Sequence, residues 1–121
     1  MALRSRSDII RSCFAAYGTK DRQVLEDLLS EDFRFTSPYD DRIDKTTYFE
    51  RCWPNNELIK SHIIERIFEN GDEAFVLYQC LTHEGNAFRN TEHFRFDGDR
   101  VRAIDVYFGA TYRDGVFVRQ E

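Results

Sequence analysis

One hairpin constrains the fold of this chain more than any other segment. Residues 87–96 alternate between two faces, and after the turn Asp97-Gly98-Asp99 a second strand is predicted from Arg100 to Phe108. Such alternation is typical of a strand with one side against a core or pocket. That side of the first strand carries Phe88, Asn90, Glu92, Phe94 and Phe96. A carboxylate among aromatic rings is costly to bury unless it is paired or protonated, so Glu92 is the first candidate for a functional residue.

Three helical stripes are predicted before most of the strands. The first runs from about residue 7 to 17, with Gly18 placed to end it. Asp21 and Asp44 are placed to cap the second and third helices, and Pro54 prevents the third from continuing. The apolar positions of the three stripes are Ile9, Ile10, Cys13, Phe14 and Tyr17; Val24, Leu25, Leu28 and Leu29; and Tyr48, Phe49, Cys52 and Trp53.

The remaining segments predict an antiparallel meander. A short strand containing Phe33 and Phe35 is followed by a turn at residues 37–41, and further strands are expected at about 60–69 and 73–82, joined by Asn70-Gly71. Residues 75–78 are apolar on both faces, which predicts a central strand covered on both sides. The tail 111–118 is suited to one more small hairpin. Helices followed by a meander predict a single α+β domain over residues 1–121, with its core at about 7–110.

Composition narrows the classes of function. A chain of 121 residues is long enough for one core, and its 15% aromatic content suits a ring-lined cavity for a small apolar molecule. A net charge of −5 without a basic patch argues against a nucleic-acid partner. The sequence has no metal-binding motif, no glycine-rich phosphate loop and no nucleotide fingerprint, so we expect chemistry on side chains alone, without a metal or cofactor.

The cysteines and the N-terminus bear on location. Cys13, Cys52 and Cys80 are widely spaced within apolar segments, as expected of buried free thiols in a reducing compartment. The first residues have no apolar segment of the secretory kind, and no run approaches transmembrane length. We therefore expect a cytoplasmic protein without a membrane partner.

The order of the elements carries a family resemblance. A helix, a short helix, the segment Asp32-Phe33-Arg34-Phe35-Thr36-Ser37-Pro38, a third helix and a sheet ending in Val106-Tyr107-Phe108-Gly109 resemble the nuclear transport factor 2-like superfamily. Within it, the chain is most similar to SnoaL-like and ketosteroid-isomerase-like bacterial proteins over about residues 7–110. The resemblance implies a cone-shaped α+β domain, with three N-terminal helices packed on a curved, mainly antiparallel sheet and a pocket at the open end. It also implies a homodimer formed through the outer face of the sheet.

The ketosteroid isomerases provide a residue-by-residue test. They use a protonated aspartic acid in an Asp-His-Phe-Arg-Phe segment, an aspartate base directly before a proline, and a tyrosine on the first helix. The matching positions here are Glu92 in the segment Glu92-His93-Phe94-Arg95-Phe96, Ser37 before the proline, and Cys13. A serine cannot abstract a carbon-bound proton unaided, so the resemblance does not predict steroid isomerase activity.

Two interpretations of the pocket stay open at this point. In the first, Glu92 is an acid or base of raised pKa, Ser37 contacts the ligand, and Asp40 or Asp41 supplies the missing base. In the second, Glu92 is hydrogen-bonded to tyrosine or arginine groups, and residues 37–41 form an ordinary turn. The candidate catalytic residues are thus Glu92, Ser37 and Asp40. The side chains expected to contact a ligand are Cys13, Tyr17, Phe35, Tyr39, Trp53, Phe94, Val106 and Phe108.

The histidines give a weaker signal. Alternation turns His93 and Asp105 away from Glu92, which favours an ion network at the surface or at a dimer interface. SnoaL-type cyclases pair a late-strand aspartate with a histidine, so His93 and Asp105 are the second candidate site. His62, near a strand start, is predicted to lie at the surface.

Two functions from different classes follow. One is a cofactor-independent isomerase, cyclase, dehydratase or hydrolase acting on a small apolar organic molecule by proton transfer through Glu92. The other is a non-catalytic ligand-binding or dimerisation module, because a fold alone does not determine function.

Overall fold

The sheet of the computed structural model, which describes residues 5–119, has the strand order β2-β1-β6-β5-β4-β3 with β7 added to β6. The elements are α1 (Arg6–Thr19), α2 (Arg22–Leu28), β1 (Leu29–Ser37), β2 (Asp40–Asp44), α3 (Lys45–Arg51), β3 (Ile59–Asn70), β4 (Glu73–Thr82), β5 (Ala87–Asp97), β6 (Arg100–Arg113) and β7 (Val116–Phe117). A short 3₁₀ helix, Trp53–Glu57, follows α3. Only β1 and β6 pair in parallel, so the predicted α+β class with three helices and a mainly antiparallel sheet is confirmed. The cone shape stays a prediction.

The helix caps follow from the sequence. As predicted, the side chains of Asp21 and Asp44 accept hydrogen bonds from backbone N–H groups at the starts of α2 and α3. Gly18, however, does not end α1. The helix continues to Thr19, and Lys20 adopts the left-handed conformation that closes it, at a φ of 61°.

The second and third helices are shorter than the apolar stripes suggested. Leu29 begins β1 instead of continuing α2, because it is fully buried where that strand pairs with β6, and tertiary pairing outweighs helical periodicity. Val24 is exposed, so its place in the stripe was also wrong. Cys52 and Trp53 lie beyond α3, where Pro54 is accommodated in the 3₁₀ turn.

The predicted strands are present, with three differences. The segment around Phe35 forms a hairpin, because β2 returns antiparallel to β1. Strand β6 extends to Arg113 and pairs with β7, which confirms the hairpin of the tail. The expectation that β4 is covered on both sides was wrong for the single chain: Val76 and Tyr78 are buried, but Phe75 is 47% exposed on the outer face.

The helices and the inner face of the sheet enclose one apolar core. Its largest fully buried side chains are Phe33, Phe94, Ile9, Ile10, Leu29, Val76 and Val101. None of the helices within residues 5–119 is both long and apolar enough to cross a membrane.

A bulge bends the sheet beside this core. Phe88 pairs with Thr111 and Asn90 with Phe108, so β6 has one residue more than β5 between these pairs. The extra residue lies next to Gly109, where a Cβ would overlap the carbonyl oxygen of Arg89. The Gly109 N–H donates to the side-chain oxygen of Asn90 at 3.2 Å. Glycine is therefore required at position 109, in the bulge that positions Asn90.

The first prediction concerns this bulge. We expect Gly109→Ala to lower the free energy of unfolding by about 2 kcal/mol or more, because the added Cβ forces β5 and β6 apart. The matched control is Gly18→Ala, where no atom lies within 4 Å of the added Cβ. In a helix, this control should raise stability by up to about 1 kcal/mol. Urea unfolding measures both, and a Gly109→Ala midpoint equal to that of the unmutated chain would contradict the bulge account.

Candidate functional site

A cavity of about 620 Å³ lies between the helices and the inner face of the sheet, within the size range of small-molecule sites. Its apolar lining is Phe14, Leu25, Phe35, Ile59, Phe88, Phe94, Ile104, Val106 and Phe108. Its polar or titratable side chains are Cys13, Tyr17, Ser37, Tyr39, Asp40, Tyr48, Cys52, Asn55, His62, Tyr78, Cys80, Asn90, Glu92 and Thr111. Ten of the eleven predicted site residues thus meet at one cavity.

Glu92 is held by a chain of hydrogen bonds that starts at the bulge. Asn90, fixed by the Gly109 N–H, donates from Nδ2 to the Tyr78 hydroxyl oxygen at 3.2 Å. The Tyr78 hydroxyl in turn donates to the Glu92 carboxylate. Neighbouring positions on β4 and β5 supply all three side chains, because Tyr78 pairs with Asn90 and Val76 pairs with Glu92. The carboxylate therefore has a defined position at the cavity wall.

Two opposing effects set the protonation of Glu92. Burial among apolar groups disfavours the ionised form, and the Tyr78 hydrogen bond favours it. Burial dominates and raises the pKa of Glu92 from 4.5 to about 7. Near neutral pH both forms are populated, which is the condition under which a carboxyl group can give or take a proton readily.

The thiols of Cys52 and Cys80 and the phenols of Tyr17 and Tyr48 keep their protons. Burial raises the pKa of Cys52 and of Cys80 to about 12, so neither is a ready nucleophile. Burial also raises the pKa of Tyr17 and of Tyr48 above the ordinary phenol value. The expectation of buried free cysteines is confirmed, and all three of them line this one cavity.

Asp40 and Ser37 form a second polar group at the cavity wall. The Ser37 hydroxyl donates to Asp40 Oδ2 at 3.2 Å, and Arg51 Nη2 lies 2.8 Å from Oδ1 as an ion pair without hydrogen-bond geometry. Ser37 also accepts from the Tyr39 N–H at 3.1 Å, so the expected turn is present as well. Asp41 is exposed and does not line the cavity, so the structure does not support it as the alternative base.

His62 lines the cavity, so its predicted place at the surface was wrong. Its ring makes edge contacts with Phe14, Tyr17 and Tyr78 at centroid distances of 5.3, 5.6 and 5.8 Å. Burial lowers its pKa, so the imidazole is neutral at pH 7. No hydrogen bond to its ring nitrogens is made by any residue between 5 and 119. His62 and the inward-facing Ile64 are two positions apart on β3, and strand alternation places such residues on the same face. This was the signal that would have placed His62 inside.

Trp53 is the one predicted ligand residue that does not line the cavity. It packs behind the wall, against Tyr17 and Phe49 at centroid distances of 5.5 and 5.9 Å. The helical stripe that suggested a pocket position ends before Trp53, because α3 gives way to the 3₁₀ turn. At the rim, Tyr39 is 75% exposed and contacts the ring of Phe108.

His93 and Asp105 lie on the outer face of the sheet. His93 Nε2 is 2.8 Å from Glu73 Oε1, its Nδ1 is 3.6 Å from Asp105 Oδ2, and its ring contacts Phe75. Neither residue borders the cavity, so the pair is not a second site for the same ligand. Across residues 5–119, no three His, Cys, Asp or Glu side chains are grouped so as to hold a metal ion.

Comparison with known proteins supports the resemblance. The family model described as the SnoaL-like domain matches residues 10–104, and no functionally curated protein matches the chain. A solved nuclear transport factor 2-like protein of unknown function from Cytophaga hutchinsonii is similar, with 19% identity, a TM-score of 0.72, and coverage of 89% of this chain and 92% of that one.

Two further solved structures share the fold. A proposed SnoaL-like polyketide cyclase from Jannaschia has 12% identity and a TM-score of 0.75, covering 89% of this chain and 91% of that one. A proposed hydroxylase from Streptomyces galilaeus has 13% identity and a TM-score of 0.75, covering 89% and 81%. At such identities the likeness establishes the fold.

The second prediction follows from the raised pKa of Glu92. Between pH 4.5 and 7 the folded chain holds a proton that the unfolded chain releases, so this group's contribution to stability falls as the pH rises through that window. The loss is at most about 3 kcal/mol, at 1.36 kcal/mol per pKa unit. Glu92→Gln should remove this component, and Glu84→Gln, an exposed glutamate, should not. Urea unfolding at pH 5 and pH 8 tests this, and an unchanged pH dependence in Glu92→Gln would contradict it.

Proposed function

Because the chain belongs to the SnoaL-like domain family, we propose that its cavity binds a small, apolar, cyclic organic molecule and catalyses a cofactor-independent proton transfer on it. The reaction class is isomerisation, cyclisation, dehydration or hydrolysis. One observation carries the proposal: a carboxyl group of pKa about 7, fixed by Tyr78, borders a cavity of about 620 Å³. The cyclase and hydroxylase proposed among the solved relatives support an organic substrate.

Protonated Glu92 acts first as a hydrogen-bond donor to a substrate carbonyl oxygen. As a proton leaves the neighbouring carbon, negative charge develops on that oxygen, and the acid stabilises it or transfers its proton to it. The chain from Gly109 through Asn90 and Tyr78 holds Glu92 before the substrate arrives, so little reorganisation accompanies the reaction. The apolar lining keeps the acid neutral enough to donate.

His62 takes the carbon-bound proton in this proposal. Its imidazole is neutral, and its ring nitrogens have no hydrogen-bond partner among residues 5–119. His62 lies on β3 and Glu92 on β5, on either side of the strand β4 that carries Tyr78. Asp40 already accepts from Ser37 and faces Arg51. The predicted catalytic pair Ser37 and Asp40 is therefore assigned to orienting the polar end of the substrate.

A non-catalytic ligand-binding module is the second candidate. The observation in its favour is that the hydrogen bonds of Tyr78 and Asn90 hold Glu92 without requiring a substrate. In that case Glu92 organises the wall of an apolar cup, and ligands bind without proton transfer.

We also propose a homodimer through the outer face of the sheet, in a cytoplasmic protein. Phe68, Phe75 and His93 lie opposite one another on β3, β4 and β5, and form a row that crosses this face. Phe68 is 69% exposed, and Tyr107 on β6 is 60% exposed. An apolar row of this kind on an uncovered sheet face supports association with a second copy.

The third prediction tests proton transfer. With 2-tetralone, an apolar ketone with acidic α-hydrogens, NMR in D₂O should show α-hydrogen exchange faster than in buffer. Glu92→Gln and His62→Gln should each slow this exchange by about 100-fold or more, while 2-tetralone still binds by saturation-transfer NMR. Glu84→Gln should leave the rate unchanged. Binding without faster exchange would favour the non-catalytic module, and absence of binding would contradict both.

The fourth prediction tests the dimer. The chain should sediment as a dimer at micromolar concentration, and Phe75→Lys should convert it to a monomer, because a charge would be buried on the apolar row. The control is Val24→Lys, an equally exposed apolar position on α2. A monomer in the unmutated chain, or dissociation by both variants, would contradict the proposed interface.

A further inference from the structure

A second concavity, of about 380 Å³, lies between the C-terminal half of α1 and the start of β3. Its charged lining residues are Arg11 and Lys60, and no acidic residue lines it. We call it the α1–β3 cleft. It shares Phe14, Tyr17, Ile59 and His62 with the larger cavity, so one layer of side chains forms a wall of both.

The two cations of the cleft have no partner within residues 5–119. Acidic residues outnumber basic ones by 22 to 17, yet neither Arg11 nor Lys60 forms an ion pair or hydrogen bond with any residue in the range 5–119. The acids that flank Lys60 in sequence, Glu57 and Glu65, are each bound to another basic residue. No residue in the range 5–119 therefore competes with an anion for either cation.

The lining of the cleft also contains a side-chain amide whose N–H donor has no partner. Asn56 is 5% exposed, and its Nδ2 has no hydrogen-bond partner within residues 5–119. Burying a donor without an acceptor costs about 1–3 kcal/mol. The hydroxyl group of Ser61 also lines the cleft. An anion bound here would provide an acceptor for the orphaned amide and charge balance for the cations.

The remaining lining restricts the kind of anion. Phe14, Ala15, Ile59 and Ile64 make part of the wall apolar. The cleft adjoins the carbonyl end of α1, where the helix dipole opposes negative charge, and opposes a doubly charged group more than a singly charged one. We propose that the α1–β3 cleft is a second binding site, which takes a small monocarboxylate with an apolar tail. This site does not depend on the reaction proposed for the larger cavity.

The test compares 4-phenylbutyrate with its neutral amide, 4-phenylbutyramide, by titration of ¹⁵N-labelled protein. The carboxylate should bind at least about 10-fold more tightly, since charged hydrogen bonds contribute more than neutral ones. The Asn56 side-chain amide resonance and the backbone resonances of residues 59–62 should shift with the carboxylate.

A charge-matched pair of variants locates the site. Arg11→Gln/Lys60→Gln should weaken 4-phenylbutyrate binding by about 10-fold or more, because each lost cation removes a charged contact. Arg100→Gln/Arg102→Gln changes the net charge equally, at exposed positions that do not line the cleft, and should change the affinity less than about 2-fold. Equal affinity for acid and amide, equal loss in both double variants, or shifts confined to β5 and β6 would overturn the proposal.

Discussion

The chemistry of the cavity depends on how the Glu92 carboxyl group is solvated. Partial burial removes water that would stabilise its charge, and a hydrogen bond from Tyr78 returns part of that stabilisation. The balance leaves a group that titrates near neutrality. Asn90, which the Gly109 N–H holds at the bulge, donates to the same Tyr78 hydroxyl, so the bulge supports the smaller of the two effects on the Glu92 pKa.

The cavity presents different chemical groups on the two sides of Glu92. On one side, β3 presents a neutral His62 to the interior, and on the other, β1 and β2 present Ser37 with Asp40. A neutral imidazole and a carboxyl group that can hold a proton are the two components that the proposed proton transfer requires. The raised pKa values of Cys52 and Cys80 keep these two thiols from competing as nucleophiles.

Strand alternation and turn chemistry predicted most of the fold, because both are local properties. The face that contains Glu92, the caps Asp21 and Asp44, and the hairpin of the tail are as expected. The turn between β3 and β4 lies at Gly71-Asp72, one residue later than the predicted Asn70-Gly71, because Asn70 pairs with Glu73. Leu29 was misplaced because its burial depends on a parallel pairing with a strand some 70 residues further along the chain, which no local pattern reveals.

Most of the candidate site residues could likewise be predicted from local patterns in the sequence. The predictions that failed did so for physical reasons. The candidate site residues on β1, β5 and β6 face the cavity as expected, since alternation determines which way they face. Trp53 was misplaced because a 3₁₀ turn interrupts the helical period. His62 was missed because a histidine near a strand start usually lies in water, and only the packing of Phe14, Tyr17 and Tyr78 around it encloses the ring. Tyr78 was identified as a core residue, but its hydroxyl contact with Glu92 requires the pairing register of β4 and β5.

The most direct measurement is a ¹³C NMR titration of the Glu92 carboxyl carbon in the unliganded protein, with Glu92→Gln used to assign the resonance. The account predicts a midpoint near pH 7, since burial outweighs the Tyr78 hydrogen bond. A midpoint at or below the ordinary glutamate value of about 4.3 would contradict it, because the group would then be a solvated carboxylate without the acid form that the proposed function requires.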